Sequence, residues 1–180
     1  MADFTIASRR RVLTGPVIGV DDLDVVDPTG VSHHRQVVVH PGAVSVVAVD
    51  DHGRVTLIRQ YRAAVDSELL EIPAGKRDVP WEDPELTARR ELLEEVGLEA
   101  DEFVLLGEFH NSPGFSNEHS FVYLATGLHH APHDRQGVEE EHLVVTHVGL
   151  HEVPELIATG RIRDAKTMIG LLLARERLVG

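Results

Sequence analysis

The chain has 180 residues, a formal net charge of −13 and no cysteine. Disulfides, thiolate nucleophiles and cysteine-based zinc sites are therefore excluded, and so acidic a balance argues against a nucleic-acid surface, because phosphate backbones select basic patches. The length suits one domain with an added arm. Its apolar runs are short and broken by charges, and no basic-then-apolar segment opens it, so no membrane association is expected and the expected location is the cytoplasm.

Residues 4–20 place Val12, Leu13, Val17, Ile18 and Val20 around Gly15-Pro16, and residues 31–40 end in Val37-Val38-Val39. The first 41 residues read as a pair of strands or a small antiparallel sheet, with 21–30 rich in turn formers, ahead of a main domain over 42–180. There, 42–49 is a candidate strand, Asp50-Asp51-His52-Gly53 a turn, and 55–61 its hairpin partner. Further strands are expected at 69–72, 103–109, 121–125 and 143–148, and helices at about 84–96, 152–159 and 163–178. The last helix offers Met168, Leu171, Leu172 and Leu178 as its apolar stripe. The fold class that follows is α+β, a sheet flanked by helices. The histidine pairs His33-His34 and His129-His130 lack the helical spacing of a zinc site, and Trp81 reads as a packing residue.

The chemistry concentrates on the helix over 84–96. Asp83 is a good N-cap, Pro84 suits the first helical position, and Gly97 supplies the stop. Along it, Glu91, Glu94 and Glu95 fall within roughly a 100° arc, with Leu86, Leu92, Leu93 and Val96 on the opposite side. Carboxylates so crowded repel one another, a cost that disappears if the edge holds hard divalent cations. Before the helix, Glu71-Ile72-Pro73-Ala74-Gly75 reads as a strand end entering a tight turn, where the Ala74 carbonyl is the candidate to complete a metal site.

At these residues the chain resembles the Nudix hydrolase family. Glu82, seven intervening residues, Arg90-Glu91, Leu92, Glu94-Glu95, Gly97 and Leu98 match the family pattern, with one departure. Six residues rather than five separate Gly75 from Glu82, the extra one lying in the loop with Pro80 and Trp81. The resemblance implies a Nudix-type α/β/α sandwich with a mixed sheet over 42–180, preceded by N-terminal antiparallel strands. It also implies Mg2+, or Mn2+ in its place, held by Ala74, Glu91, Glu94 and Glu95, with Arg90 orienting the carboxylates.

Pro113, fifteen residues beyond Leu98 within Ser112-Pro113-Gly114, resembles the marker of the ADP-ribose pyrophosphatase subgroup. That likeness implies cleavage of ADP-ribose, or a related nucleoside diphosphate sugar, to AMP and ribose 5-phosphate. It further implies a homodimer in which the N-terminal strands reach the partner's substrate site; a sheet edge within one monomer is the alternative. Arg62, Arg35, Gly114, Ser116 and Glu118 become candidate substrate contacts. In the loop Glu139-Glu140-Glu141, Glu139 is expected as the general base and Glu141 as a further metal contact, with Glu140 a competitor for either role. GDP-mannose, an oxidised nucleotide, a dinucleoside polyphosphate, or ADP-ribose sensing without catalysis remain as alternatives.

Overall fold

Every residue of the strand Ala43–Ala48 is buried, on both of its faces. An apolar strand of this kind needs neighbours on both edges and cover above and below, and the fold is arranged around that need. The computed structural model describes residues 3–132 and 143–179. It divides the chain into two compact units, residues 1–42 with 110–119, and residues 43–109 with 120–180.

In the first unit, β1 (Thr5–Thr14), β2 (Gly19–Val26) and β3 (Ser32–Val39) form an antiparallel sheet in that order. The segment expected as turn-rich is therefore strand as far as Val26. Aspartate disfavours strands, but here each one meets a partner across the ladder. Asp22 pairs with Arg10 at 2.7 Å, Asp21 with Arg11 and with Arg9, and Asp24 accepts from the Ser8 hydroxyl at 2.7 Å. Cross-strand pairing outweighs intrinsic propensity. The turn is confined to Asp27–Val31, where the Asp27 carboxylate accepts from the Thr29 and Val31 amides and Gly30 takes a φ of 88°. All ten residues of β1 are exposed, Ile6, Val12 and Leu13 among them.

In the second unit β4 (Ala43–Ala48) lies in the order β7-β4-β9-β8, with β7 (Ala74–Lys76), β8 (Leu98–His110) and β9 (His119–His130). It runs antiparallel to β7 and parallel to β9, so the sheet is mixed. A second, antiparallel sheet has the order β10-β5-β6, from β5 (Arg54–Arg62), β6 (Ser67–Glu71) and β10 (Val144–Gly149). The hairpin expected between 42–49 and 55–61 thus closes only at the Val49–Val55 bridge, beyond which β4 and β5 part into different sheets. β4 takes β7 and β9 instead, as its two buried faces require.

Helix α1 (Pro84–Val96) covers one face, with Ala88 and Leu92 against Val44, Val46, Ala48 and Tyr123. On the other side, α2 (Val153–Ala158) and α3 (Ala165–Val179) bring Val153, Leu156, Leu171 and Ala174 against Val47, Val122, Leu57 and Leu70. Each such valine or leucine contributes about 1.5–3 kcal/mol on burial. The apolar stripe of α3 differs from the expected one: Thr167, Gly170, Leu171 and Ala174 face inward, while Leu172 and Leu178 are exposed. Gly170 sets that rotation, because a Cβ there would come within 2.9–3.0 Å of Val122, Ile72 and Val47. Among the described residues no helix is long and apolar enough to cross a membrane.

Candidate active site

Ile72 and Pro73 make the turn between β6 and β7, and Ala74 opens β7. The Pro73 carbonyl accepts from the Val46 amide at 2.9 Å, which fastens the turn to the central strand. The Ala74 N–H donates to Oε2 of Glu95 at 2.9 Å. Gly75 lies directly against the Glu91 carboxylate, in a space that any Cβ would fill. Two carboxylates of the helix are thus seated on two consecutive residues, Ala74 and Gly75.

The helix begins and ends as its sequence dictates. Asp83 accepts from the Glu85 amide at 2.8 Å, Pro84 occupies the first turn, and Gly97 adopts a φ of 65° with its N–H on the Leu93 carbonyl. Its glutamates meet the turn at Ala74 and Gly75, and its leucines divide. Thr87, Ala88, Glu91, Leu92 and Glu95 are buried, whereas Leu86 is 58% exposed. Glu91 and Glu95 turn toward the body of the protein beside Leu92, and Leu86 is left outside. Burying carboxylates demands partners, and the turn amide and Arg90 supply them.

Arg90 Nη1 lies 3.0 Å from Glu91 and 3.0 Å from Glu94, and Nη2 lies 3.6 Å from Glu82. Partial burial opposes the arginine's charge, but Glu91, Glu94 and Glu82 outweigh it and hold its pKa above the ordinary value. Glu82 also accepts from the Thr87 hydroxyl at 2.7 Å, so the six-residue spacing before it is absorbed without loss of its partners. Trp81, in the same loop, takes a φ of 67° and is fully exposed, not packed.

Among the described residues no three acidic or imidazole groups converge into a finished metal cage. The donor set nonetheless fits a hard divalent cation: carboxylate oxygens on one helix edge, with a glycine leaving room for one of them. Glu91, Glu94, Glu95 and the Ala74 carbonyl are the groups that would hold it.

The Arg62 fork is already engaged. Its Nε and one Nη donate to the two oxygens of Glu71, each at 2.8 Å. Glu71 is wholly buried, which raises its pKa, but Arg62 and Lys166 overcome that and leave the carboxyl below its ordinary value. Lys166 also contacts Asp164 at 2.8 Å. Sequence reading missed this group. The signals were a lone glutamate ending the apolar run Leu69-Leu70 and the cap-forming Asp164 ahead of a helix.

The remaining candidates belong to the first unit. Arg35 is exposed on β3 with Nη1 on the His34 carbonyl at 2.8 Å. Ser116 accepts from the Glu118 amide at 3.1 Å, Glu118 lies 4.0 Å from His40, and Gly114 stands in open space. Glu139, Glu140 and Glu141 lie outside the described residues.

Comparison with known proteins agrees with this geometry. A family model described as the NUDIX domain matches residues 39–169. An ADP-ribose pyrophosphatase of Bacillus subtilis is 39% identical over 167 residues, 93% of this chain and 89% of that protein. An ADP-ribose pyrophosphatase of Mycobacterium tuberculosis is 38% identical over 178 residues, 99% of this chain and 86% of that one. A solved structure of an ADP compounds hydrolase superposes with a TM-score of 0.84 at 27% identity, covering 97% of this chain and 94% of its own. The seated glutamate edge and the matched span together place the chain in the Nudix family.

Proposed function

We propose that this Nudix hydrolase is a Mg2+-dependent pyrophosphohydrolase of nucleoside diphosphate sugars, with ADP-ribose its preferred substrate, acting in the cytoplasm. The observation that carries the reading is the seating of Glu91 on Gly75 and of Glu95 on the Ala74 amide. An ordinary solvated acidic helix would leave those carboxylates in water. The likeness over nearly the whole chain to two ADP-ribose pyrophosphatases supports the choice of substrate.

Glu91, Glu94, Glu95 and the Ala74 carbonyl would hold Mg2+, with Mn2+ a working substitute. Such an ion, when bound, neutralises diphosphate charge and lowers the pKa of water. Arg90 keeps Glu91 and Glu94 at fixed separation and so preserves their aim. A loop glutamate takes the proton of the attacking water as its oxygen bonds to phosphorus, and the bridging P–O bond breaks to give AMP and ribose 5-phosphate. Glu139 is the proposed base and Glu141 a further metal contact, with Glu140 the competitor for either. Arg62, Arg35, Gly114, Ser116 and Glu118 are proposed as substrate contacts, Arg62 through whatever of its fork Glu71 leaves free.

β1 is the edge strand of its sheet and all ten of its residues are exposed, Ile6, Val12 and Leu13 among them, which favours a homodimer bridged by the N-terminal strands, since a free edge is a liability that a partner removes. The test is a substrate panel assayed with Mg2+ and resolved by chromatography: ADP-ribose, GDP-mannose, an oxidised nucleoside triphosphate and a dinucleoside polyphosphate. ADP-ribose should show a kcat/KM at least about tenfold above the others, or about 1.4 kcal/mol of barrier. Preference for another substrate, or no cleavage at all, would overturn the reading.

A further inference from the structure

The N-terminus of α3 grips the chain at two consecutive residues just ahead of the turn that seats the glutamates. Lys166 Nζ meets the buried Glu71 carboxylate at 2.5 Å, and the next amide along, that of Ile72, donates to the Thr167 hydroxyl at 3.1 Å. Asp164 ties these contacts together. It accepts from the Thr167 amide at 2.9 Å and from its hydroxyl at 2.6 Å, and it binds Lys166 at 2.8 Å. Glu71 and Thr167 are both completely buried.

The local chemistry explains why the turn needs this grip. β6 ends at Glu71, and Pro73 has no N–H to offer. The Ile72 amide is therefore the last donor before the turn, and a buried amide left unpaired costs about 1–3 kcal/mol. Thr167 satisfies it from ninety-five residues away in sequence. Two residues further on, the Ala74 N–H holds Glu95, and Gly75 receives Glu91. A shift of the strand end would move both carboxylates together, because the intervening chain is short and Pro73 is stiff.

We infer that Asp164, Lys166 and Thr167 are positioning residues for the metal-binding carboxylates, acting through Glu71 and Ile72 on the Pro73–Gly75 turn. This rests on the proposed divalent-cation site. Lys166 and Thr167 reach the turn through Glu71 and Ile72, and Asp164 holds both of them, so their effect is on where the turn stands. Lys166 additionally sets how tightly Arg62 is held, since both cations share Glu71.

The test uses the full-length protein and Mn2+ alone as probe, followed by paramagnetic resonance, with hydrogen exchange at the Ile72, Ala74 and Gly75 amides within 72–75 measured on the metal-free protein. Thr167→Val keeps the shape and removes the acceptor. It should weaken Mn2+ binding about tenfold, the usual cost of losing a partner behind a metal ligand, and speed exchange at 72–75. Thr167→Ser, which keeps the hydroxyl, should bind as wild type. Lys166→Met should weaken Mn2+ binding and Lys166→Arg restore most of it. Leu171→Ala controls for general loosening: it should lower Tm while leaving the Mn2+ titration unchanged. Equal titrations for Thr167→Val, Lys166→Met and wild type would overturn the inference, as would a Leu171→Ala shift as large as that of Thr167→Val. If wild type binds no Mn2+, the proposed site fails, and exchange at 72–75 still decides positioning: faster in Thr167→Val than in Leu171→Ala supports it, and equal rates refute it.

Discussion

Replacing Gly75 by alanine is the smallest change that tests how the site is built. A Cβ at this position would lie closer than 3.0 Å to Cδ and both oxygens of Glu91, where ordinary contact begins at 3.4 Å. One of two things must give. If the carboxylate swings outward, it leaves the Arg90 guanidinium 3.0 Å away and loses its aim. If the turn retreats instead, the 2.9 Å bond from Ala74 to Glu95 and the 2.9 Å bond from Val46 to Pro73 are both stretched. Overpacking of this kind costs about 1–3 kcal/mol of stability. The loss in kcat should be larger, at least about a hundredfold or ~2.7 kcal/mol of barrier, because either route displaces a carboxylate assigned to the cation. Urea unfolding, a Mn2+ titration and initial rates for ADP-ribose separate the two costs. Gly107→Ala is the control, since its Cβ would meet only Leu173 at 3.4 Å. Wild-type turnover and cation dependence in Gly75→Ala would refute the seating of Glu91 as the basis of the site.

The loop glutamates should separate by phenotype: Glu139→Gln lowers kcat with little change in the Mg2+ needed for half-maximal rate, and Glu141→Gln raises that requirement. If only Glu140→Gln is damaging, the roles are displaced by one residue. Deleting residues 1–41 should give a monomer by light scattering and raise KM for ADP-ribose; a truncated chain that stays dimeric with KM intact would refute the bridging arm. Glu82→Gln should lower Tm more than it lowers kcat, because Glu82 pairs with Thr87 and Arg90, and activity lost at unchanged Tm would reverse that view. Glu71 predicts an acid dependence of stability. Its folded pKa lies below the ordinary 4.5, so the unfolded chain binds this proton more readily. The contribution is complete above the unfolded value and lost as pH falls through the folded one. Urea midpoints from about pH 7 to about pH 3 should fall more steeply in wild type than in Glu71→Gln, and parallel curves would refute the assignment.

Helix α1 was legible because its signals are local: a cap at Asp83, a proline behind it and a left-handed Gly97. Its exact seating was not, because no local pattern says that the Ala74 amide donates to Glu95. The same limit hid the parting of β4 from β5. Turn chemistry at Asp50–Gly53 reads as a hairpin, and only the demand of β4 for cover on both faces redirects it. Asp21, Asp22 and Asp24 look like turn residues until three arginines and Ser8 are placed across the ladder from them. The group around Glu71 joins residues of β5, β6 and α3, a span that no local pattern encodes.

The loop between Gly75 and Glu82 separates two kinds of length. Glu82 is tethered from the helix side, by Thr87 at 2.7 Å and Arg90 at 3.6 Å, and its amide turns back onto the Val79 carbonyl at 3.3 Å. Gly75 is tethered from the sheet side, opposite Val44. Neither anchor is counted from the other along the intervening residues. The segment carrying Pro80 and Trp81 is thus a place where the gene can grow or shrink without shifting the frame of the glutamates. A peptide tag or a fluorescent reporter spliced between Val79 and Trp81 would be carried at the rim of the carboxylate edge.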